Sequence, residues 1–139
     1  MVYLSFKLTN ECKKTATNTT VLIVDDEPNI VVAVEFLLQQ EGYAVLKAFD
    51  GNTALALATQ HQPSLVILDV MMPSMTGFEV ARKIRENPLL EDTHIIFLTA
   101  KGTTADKFEG YANGAEAYLA KPFDNQKLMD TINEMVTYG

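Results

Sequence analysis

The stretch Leu65-Val66-Ile67-Leu68-Asp69-Val70-Met71-Met72-Pro73 decides how this chain folds. Four branched apolar residues run directly into one carboxylate, and a proline stops the extended run shortly afterwards. An apolar run without alternation predicts a strand buried on both faces, as in a parallel sheet covered by helices. Asp69 then stands at the carboxyl end of that strand, the edge of an open α/β sheet where ligands bind. A carboxylate in such a place is costly unless something pairs with it. The partners of Asp69 must come from elsewhere in the sequence.

On either side of this strand the same grammar repeats. Val21-Leu22-Ile23-Val24 is a buried strand ending at Asp25-Asp26. Pro28 suits the first turn of a helix whose stripe is Ile30, Val34, Leu37 and Leu38, closed by Gly42. Tyr43 to Phe49 reads as a second strand, Asp50-Gly51 as a turn, and Thr53 to Gln60 as an alanine-rich helix. After the central strand, Gly77 to Glu86 is a helix with Phe78, Ala81 and Ile84 inward, broken at Asn87-Pro88. His94 to Leu98 is a fourth strand ending at Thr99, and Thr104 to Asn113 a short helix stopped by Gly114. Ala117 to Ala120 is a fifth strand ending at Lys121-Pro122, and Asp124 caps a last helix with Leu128, Ile132 and Met135 or Val136 inward. Five strands alternating with helices predict an α/β fold, a parallel sheet with helices on both faces.

Residues 1–19 differ. Val2, Leu4, Phe6 and Leu8 alternate with polar residues at strand spacing, and a polar stretch follows. They are expected to be a flexible or appended extension rather than an extra edge strand, leaving residues 20–139 as one domain. The net charge of -7 and pI near 4.7 disfavour nucleic acid and anionic membranes as direct partners. No apolar run approaches the ~20 residues that cross a bilayer. Cys12 is the single cysteine, so no intrachain disulfide forms, in keeping with a reducing, cytoplasmic setting. No secretory leader and no further domain are apparent, so the expectation is either a stand-alone protein or a domain excised from a longer one.

Four strands thus end in Asp25-Asp26, Asp69, Thr99 and Lys121. In a parallel sheet all strand C-termini share one edge, so residues about 100 apart in sequence converge. Three carboxylates there repel, each pair by about 4 kcal/mol at ~4 Å and an effective dielectric near 20. Lys121 offsets one charge, and a divalent cation would offset the rest. Oxygen-only ligation, with no His or Cys at hand, selects a hard ion: Mg²⁺, or Mn²⁺ in its place. A carboxylate surrounded by a hard cation, an ammonium and a hydroxyl suits phosphoryl transfer, with Asp69 as the nucleophile of an acyl phosphate.

These residues resemble the receiver domain of two-component response regulators, over about residues 20 to 138. Asp25 and Asp26 match the acidic pair, and Asp69 the phosphoacceptor, within Leu-Asp-Val-Met-Met-Pro-Ser-Met-Thr-Gly. Thr99 of Leu-Thr-Ala matches the switch hydroxyl, and Lys121-Pro122-Phe123 the lysine motif. The resemblance implies a flavodoxin-like sheet of order 2-1-3-4-5 with five helices. It implies Mg²⁺ held by Asp25, Asp26, Asp69 and the Met71 backbone carbonyl, a cis peptide before Pro122, access to Asp69 past the small Ala100, and Tyr118 as the aromatic switch. Its partners would be a sensor histidine kinase or phosphotransfer protein, docking near Pro28 to Val34 and Pro122, and a downstream protein effector that the sequence does not name. On phosphorylation Thr99 would move to the phosphoryl group, Tyr118 would turn inward, and the face of the fourth helix, fifth strand and fifth helix would change its preference. The last helix lacks the arginine common in winged-helix regulators that dimerise through that face.

Three other readings compete. A scaffold that is never phosphorylated would usually lack one of the acidic pair, the threonine or the lysine, and all are present. An aspartyl phosphatase of the haloacid dehalogenase type needs an acid two residues after the nucleophile, where Met71 stands. A flavin phosphate would meet the acidic loop Asp25-Asp26-Glu27-Pro28. The expected protein is therefore a signalling switch that catalyses only its own phosphoryl transfer and dephosphorylation.

Overall fold

A computed structural model describes residues 19–138. The N-terminal alternation expected over Val2 to Leu8 lies outside the described residues. The sheet has five parallel strands in the order β2-β1-β3-β4-β5. The strands are β1 (Thr20–Val24), β2 (Ala44–Ala48), β3 (Leu65–Leu68), β4 (His94–Thr99) and β5 (Ala117–Ala120). The helices are α1 (Pro28–Gln40), α2 (Gly51–His61), α3 (Gly77–Glu86), α4 (Thr104–Ala112) and α5 (Asn125–Tyr138).

Strand residues alternate between two separate cores, which is why the strands show no polar alternation. Val21, Ile23, Leu65, Ile67, Ile96 and Leu98 pack against α1 and α5, through Val31, Val34, Leu38, Leu128 and Ile132. Leu22, Val24, Val66, Leu68, Ile95 and Phe97 face the other way, against Ala54 and Ala58 of α2 and Phe78, Ala81 and Ile84 of α3. The parallel sheet with helices on both faces is as the sequence predicts. Gly42 and Gly114 end α1 and α4 with φ of 90° and 100°, the left-handed backbone expected of such stops.

Local boundaries move where side chains cap. The Asp50 carboxylate accepts from the Thr53 amide at 2.8 Å, so α2 begins at Gly51 rather than Thr53. Thr76 with Glu79 and Thr103 with Asp106 form reciprocal capping boxes that start α3 and α4. Asp124 accepts from the Lys127 amide at 3.0 Å, as expected of the cap of α5. A 3-10 turn at Pro88–Leu90 follows α3 and buries Leu90. Thr19 is buried, and its carbonyl accepts from the Ala44 amide at 2.9 Å.

The ladder also runs one residue beyond the strands, at the edge where the polar residues stand. The Asp25 amide donates to the Ala48 carbonyl at 3.2 Å, the Asp69 amide to Val24 at 3.0 Å and the Lys121 amide to Thr99 at 2.9 Å. Backbone pairing therefore sets Asp69 beside Asp25, and Lys121 beside Thr99, along one edge before any side chain is considered.

Candidate functional site

From the outer strand β5, the Lys121 side chain reaches across to the acids of that edge. Its Nζ donates to Asp25 Oδ2 at 2.7 Å, Glu27 Oε1 at 3.0 Å and Asp69 Oδ2 at 3.4 Å. The peptide bond to Pro122 is cis. Asp25 and Asp69 are 2% and 5% exposed, so two carboxylates sit in the sheet edge almost out of water. One carboxylate oxygen each from Asp25, Glu27 and Asp69 lies within 4.8 Å of the others. A cavity of 280 Å³ opens over them, lined by Asp26, Glu27, Asp69, Met71, Thr99, Ala100 and Lys121.

Burial pushes the Asp25 carboxyl above its ordinary value, and the Asp69 charge adds to this. The Lys121 ammonium and the Glu27 amide, which donates to Asp25 Oδ1 at 2.9 Å, work the other way. For Lys121, burial disfavours the charge, but hydrogen bonds to Asp25 and Glu27 outweigh it and carry the ammonium above its ordinary range. The lysine is therefore a fixed positive charge at any ordinary pH.

Of the residues picked out by sequence, Asp26, Asp69, Met71, Thr99 and Lys121 line one cavity, and Asp25 is tied to them through the Lys121 ammonium. Asp26 is exposed. Glu27 is the residue that sequence reading passed over. It precedes the first turn of α1, yet its side chain caps nothing there and turns to Lys121 instead. The signal was the third acid of Asp-Asp-Glu, read only as part of a negative loop.

Thr99 is buried, and its Oγ1 accepts from the Lys101 amide at 3.2 Å. Lys101 also supplies the carbonyl to which the Tyr118 hydroxyl donates. The Tyr118 ring is 7% exposed and packs at 5.6 Å, centroid to centroid, from Phe97. It lies inward, the position expected after phosphoryl transfer, and burial together with Asp106 and Asp69 pushes its phenol up to about 12. Neither histidine joins the site. His94, at the start of β4, pairs with Glu116 at 2.8 Å, and His61 ends α2. Among the described residues no helix is long and apolar enough to cross a membrane.

Known proteins resemble this chain in sequence and fold. The family profile of the response regulator receiver domain matches residues 21–133. The response regulator ArlR of Staphylococcus aureus is 42% identical over 118 residues, which are 85% of this chain and 52% of that protein. The chain spans about half the length of the curated relatives it matches. The chemotaxis protein CheY4 of Vibrio cholerae superposes with a TM-score of 0.80 at 39% identity, covering 84% of this chain and 98% of that one. The receiver domain of a sensor histidine kinase of Pseudomonas aeruginosa PAO1, solved with a magnesium ion in its active-site cleft, superposes at 0.78 with 28% identity, covering 85% and 97%. A five-stranded sheet of order 2-1-3-4-5, an acidic cleft at its carboxyl edge and a profile match over most of its length place this chain in the response regulator receiver domain family.

Proposed function

We propose that the domain, residues 20–139, is a switch in a two-component phosphorelay, with Asp69 as its phosphoacceptor. The donor would be the phosphohistidine of a sensor histidine kinase or phosphotransfer protein. Asp69 Oδ attacks phosphorus, the P–N bond breaks, and the departing imidazole keeps the electron pair and takes up a proton. The observation that carries this reading is Asp69 itself: 5% exposed, open to the cavity, and 3.4 Å from the Lys121 ammonium. An ionised carboxylate needs no general base to act as nucleophile.

Asp25, Asp26, Asp69 and the Met71 carbonyl would hold Mg²⁺ or Mn²⁺. The support is one carboxylate oxygen each from Asp25, Glu27 and Asp69 within 4.8 Å of one another, with Asp26 and Met71 in the wall of the cavity beside them and no His or Cys among the described residues of that wall. Such an ion, when bound, neutralises charge on the phosphoryl oxygens. Lys121 gives up a carboxylate contact to pair with a phosphoryl oxygen, and Thr99 exchanges the Lys101 amide for another. Tyr118, joined to the same Lys101, carries the change to the face of α4, β5 and α5, where an effector protein would dock. The chain would act in the cytoplasm without contacting nucleic acid or membrane itself, and would turn over no separate substrate. Residues 1–19 would be an extension outside the switch.

Incubation with acetyl phosphate and Mg²⁺ tests this reading. A phosphate adduct on the unsubstituted protein, absent in Asp69→Asn and under EDTA, is expected. Equal labelling of Asp69→Asn, or labelling indifferent to chelation, overturns it.

A further inference from the structure

Helix α4 makes an unusual contact with the sheet. Its single fully buried residue is Gly110, which has no side chain to bury. Its large apolar residues turn outward: Phe108 is 76% exposed and Tyr111 49%. A glycine inside a helix is less favourable than alanine, so its presence there calls for a local reason. The reason is geometric. A Cβ at residue 110 would lie 2.8 Å from Tyr118 Cδ2 and 2.9 Å from Cε2, closer than real Cβ atoms approach, and 3.2 Å from Phe97 Cδ2. The Tyr118 ring occupies the space that any other side chain at residue 110 would need.

We propose that Gly110 is a positioning residue for the switch: it is the socket that lets Tyr118 lie inward, so that α4 sets whether the ring can report on the phosphorylation cleft. This rests on the reading of Tyr118 as the reporter of phosphoryl transfer. The inward ring touches three parts of the fold at once. Its hydroxyl donates to the Lys101 carbonyl, its face meets Phe97, and its edge lies over the bare backbone of Gly110. Lys101 in turn donates its amide to Thr99 in the cleft wall. A Cβ at residue 110 moves the ring, which can swing outward about χ1, more readily than it moves the helix backbone. The ring then loses its contact with Phe97 and its hydrogen bond to Lys101 together, and the path from Thr99 to the outer face of α4 is cut without touching Asp69, Lys121 or the acidic cluster.

A double-mutant cycle with thermal unfolding, joined to fluorine NMR of 3-fluorotyrosine protein, tests this. Gly110→Ala is expected to lower the melting temperature when Tyr118 is present. In the Tyr118→Ala background it is expected to raise it, since alanine's helix preference then acts unopposed. In Gly110→Ala, the Tyr118 resonance, assigned by its loss in Tyr118→Phe, is expected to move to a solvent-exposed position. Acetyl phosphate should still label Gly110→Ala on Asp69, with no further change in that resonance. A rise in melting temperature in both backgrounds, or an unmoved Tyr118 resonance, overturns the socket. Failure of the unsubstituted protein to label overturns the phosphoacceptor reading instead, and leaves the socket to be decided by the cycle and the resonance.

Discussion

Replacing Lys121 with methionine keeps an unbranched stem of similar length and removes the charge that three carboxylates share. Their donor oxygens lie within 4.8 Å of one another. At about that separation and an effective dielectric near 20, each like pair costs about 3.5 kcal/mol. Glu27 has a side chain 61% exposed and can swing into water. Asp25 and Asp69 are held by the sheet edge and cannot. One repulsive pair then remains, an expected loss of ~3 kcal/mol, at the low end for breaking a buried ion pair by removing one partner. For a domain of this size that is a fall of roughly 12 °C in melting temperature. A divalent cation restores the missing positive charge, so Mg²⁺ should raise the melting temperature of Lys121→Met more than that of the unsubstituted protein. Circular dichroism melts with EDTA and with millimolar MgCl₂ read both quantities. If Lys121→Met melts within a few degrees of the parent in EDTA, or gains no more from Mg²⁺ than the parent does, the lysine does not serve as the counter-charge of the cluster.

Two further outcomes follow from the same geometry. Asp25 has its folded pKa raised above the ordinary 3.8, chiefly by burial, so the folded state binds its proton more tightly than the unfolded chain does. That contribution is present below the ordinary value and is lost as pH rises through the folded one; Asp25→Asn in EDTA should therefore raise the melting temperature at neutral pH and change it little near about pH 3, and a lower melting temperature at neutral pH would mean that the Lys121 pair outweighs burial. Gly77→Ala would put a Cβ 2.1 Å from the Asp69 carbonyl oxygen, so the start of α3 must retreat from the end of β3; a loss of about 1–3 kcal/mol is expected from this overpacking, read as a lower midpoint in urea, and an unchanged midpoint would show that the junction gives way freely.

The strands were legible because β1, β3 and β4 are buried on both faces, and such strands read as unbroken apolar runs. The edge strand β2 was less so: Ala44 and Lys47 face solvent, and its ends fell one residue short at each side. The capping boxes at Thr76 and Thr103 stand in the sequence as threonine followed three residues later by an acid, and their hydrogen bonds form only once the turn is made. Asp25, Asp69, Thr99 and Lys121 were legible as a group because parallel strands bring their C-termini to one edge. Glu27 was not. Its direction depends on the turn into α1 and on an ammonium contributed from far along the chain. Gly110 reads in sequence as a weak point in a short helix, and its use appears only when the Tyr118 ring is seen against it.

By itself the sequence determined the alternation of strands and helices, the two-sided burial of the sheet and the identity of the polar residues at its carboxyl edge. These follow from local periodicity and from a topology that leaves one place for strand ends to meet. Only the tertiary structure decided which acids share Lys121, that Tyr118 lies inward on Lys101, and that an absent Cβ in α4 makes room for it. Those are matters of ångströms between residues distant in sequence, set by packing that no local pattern encodes.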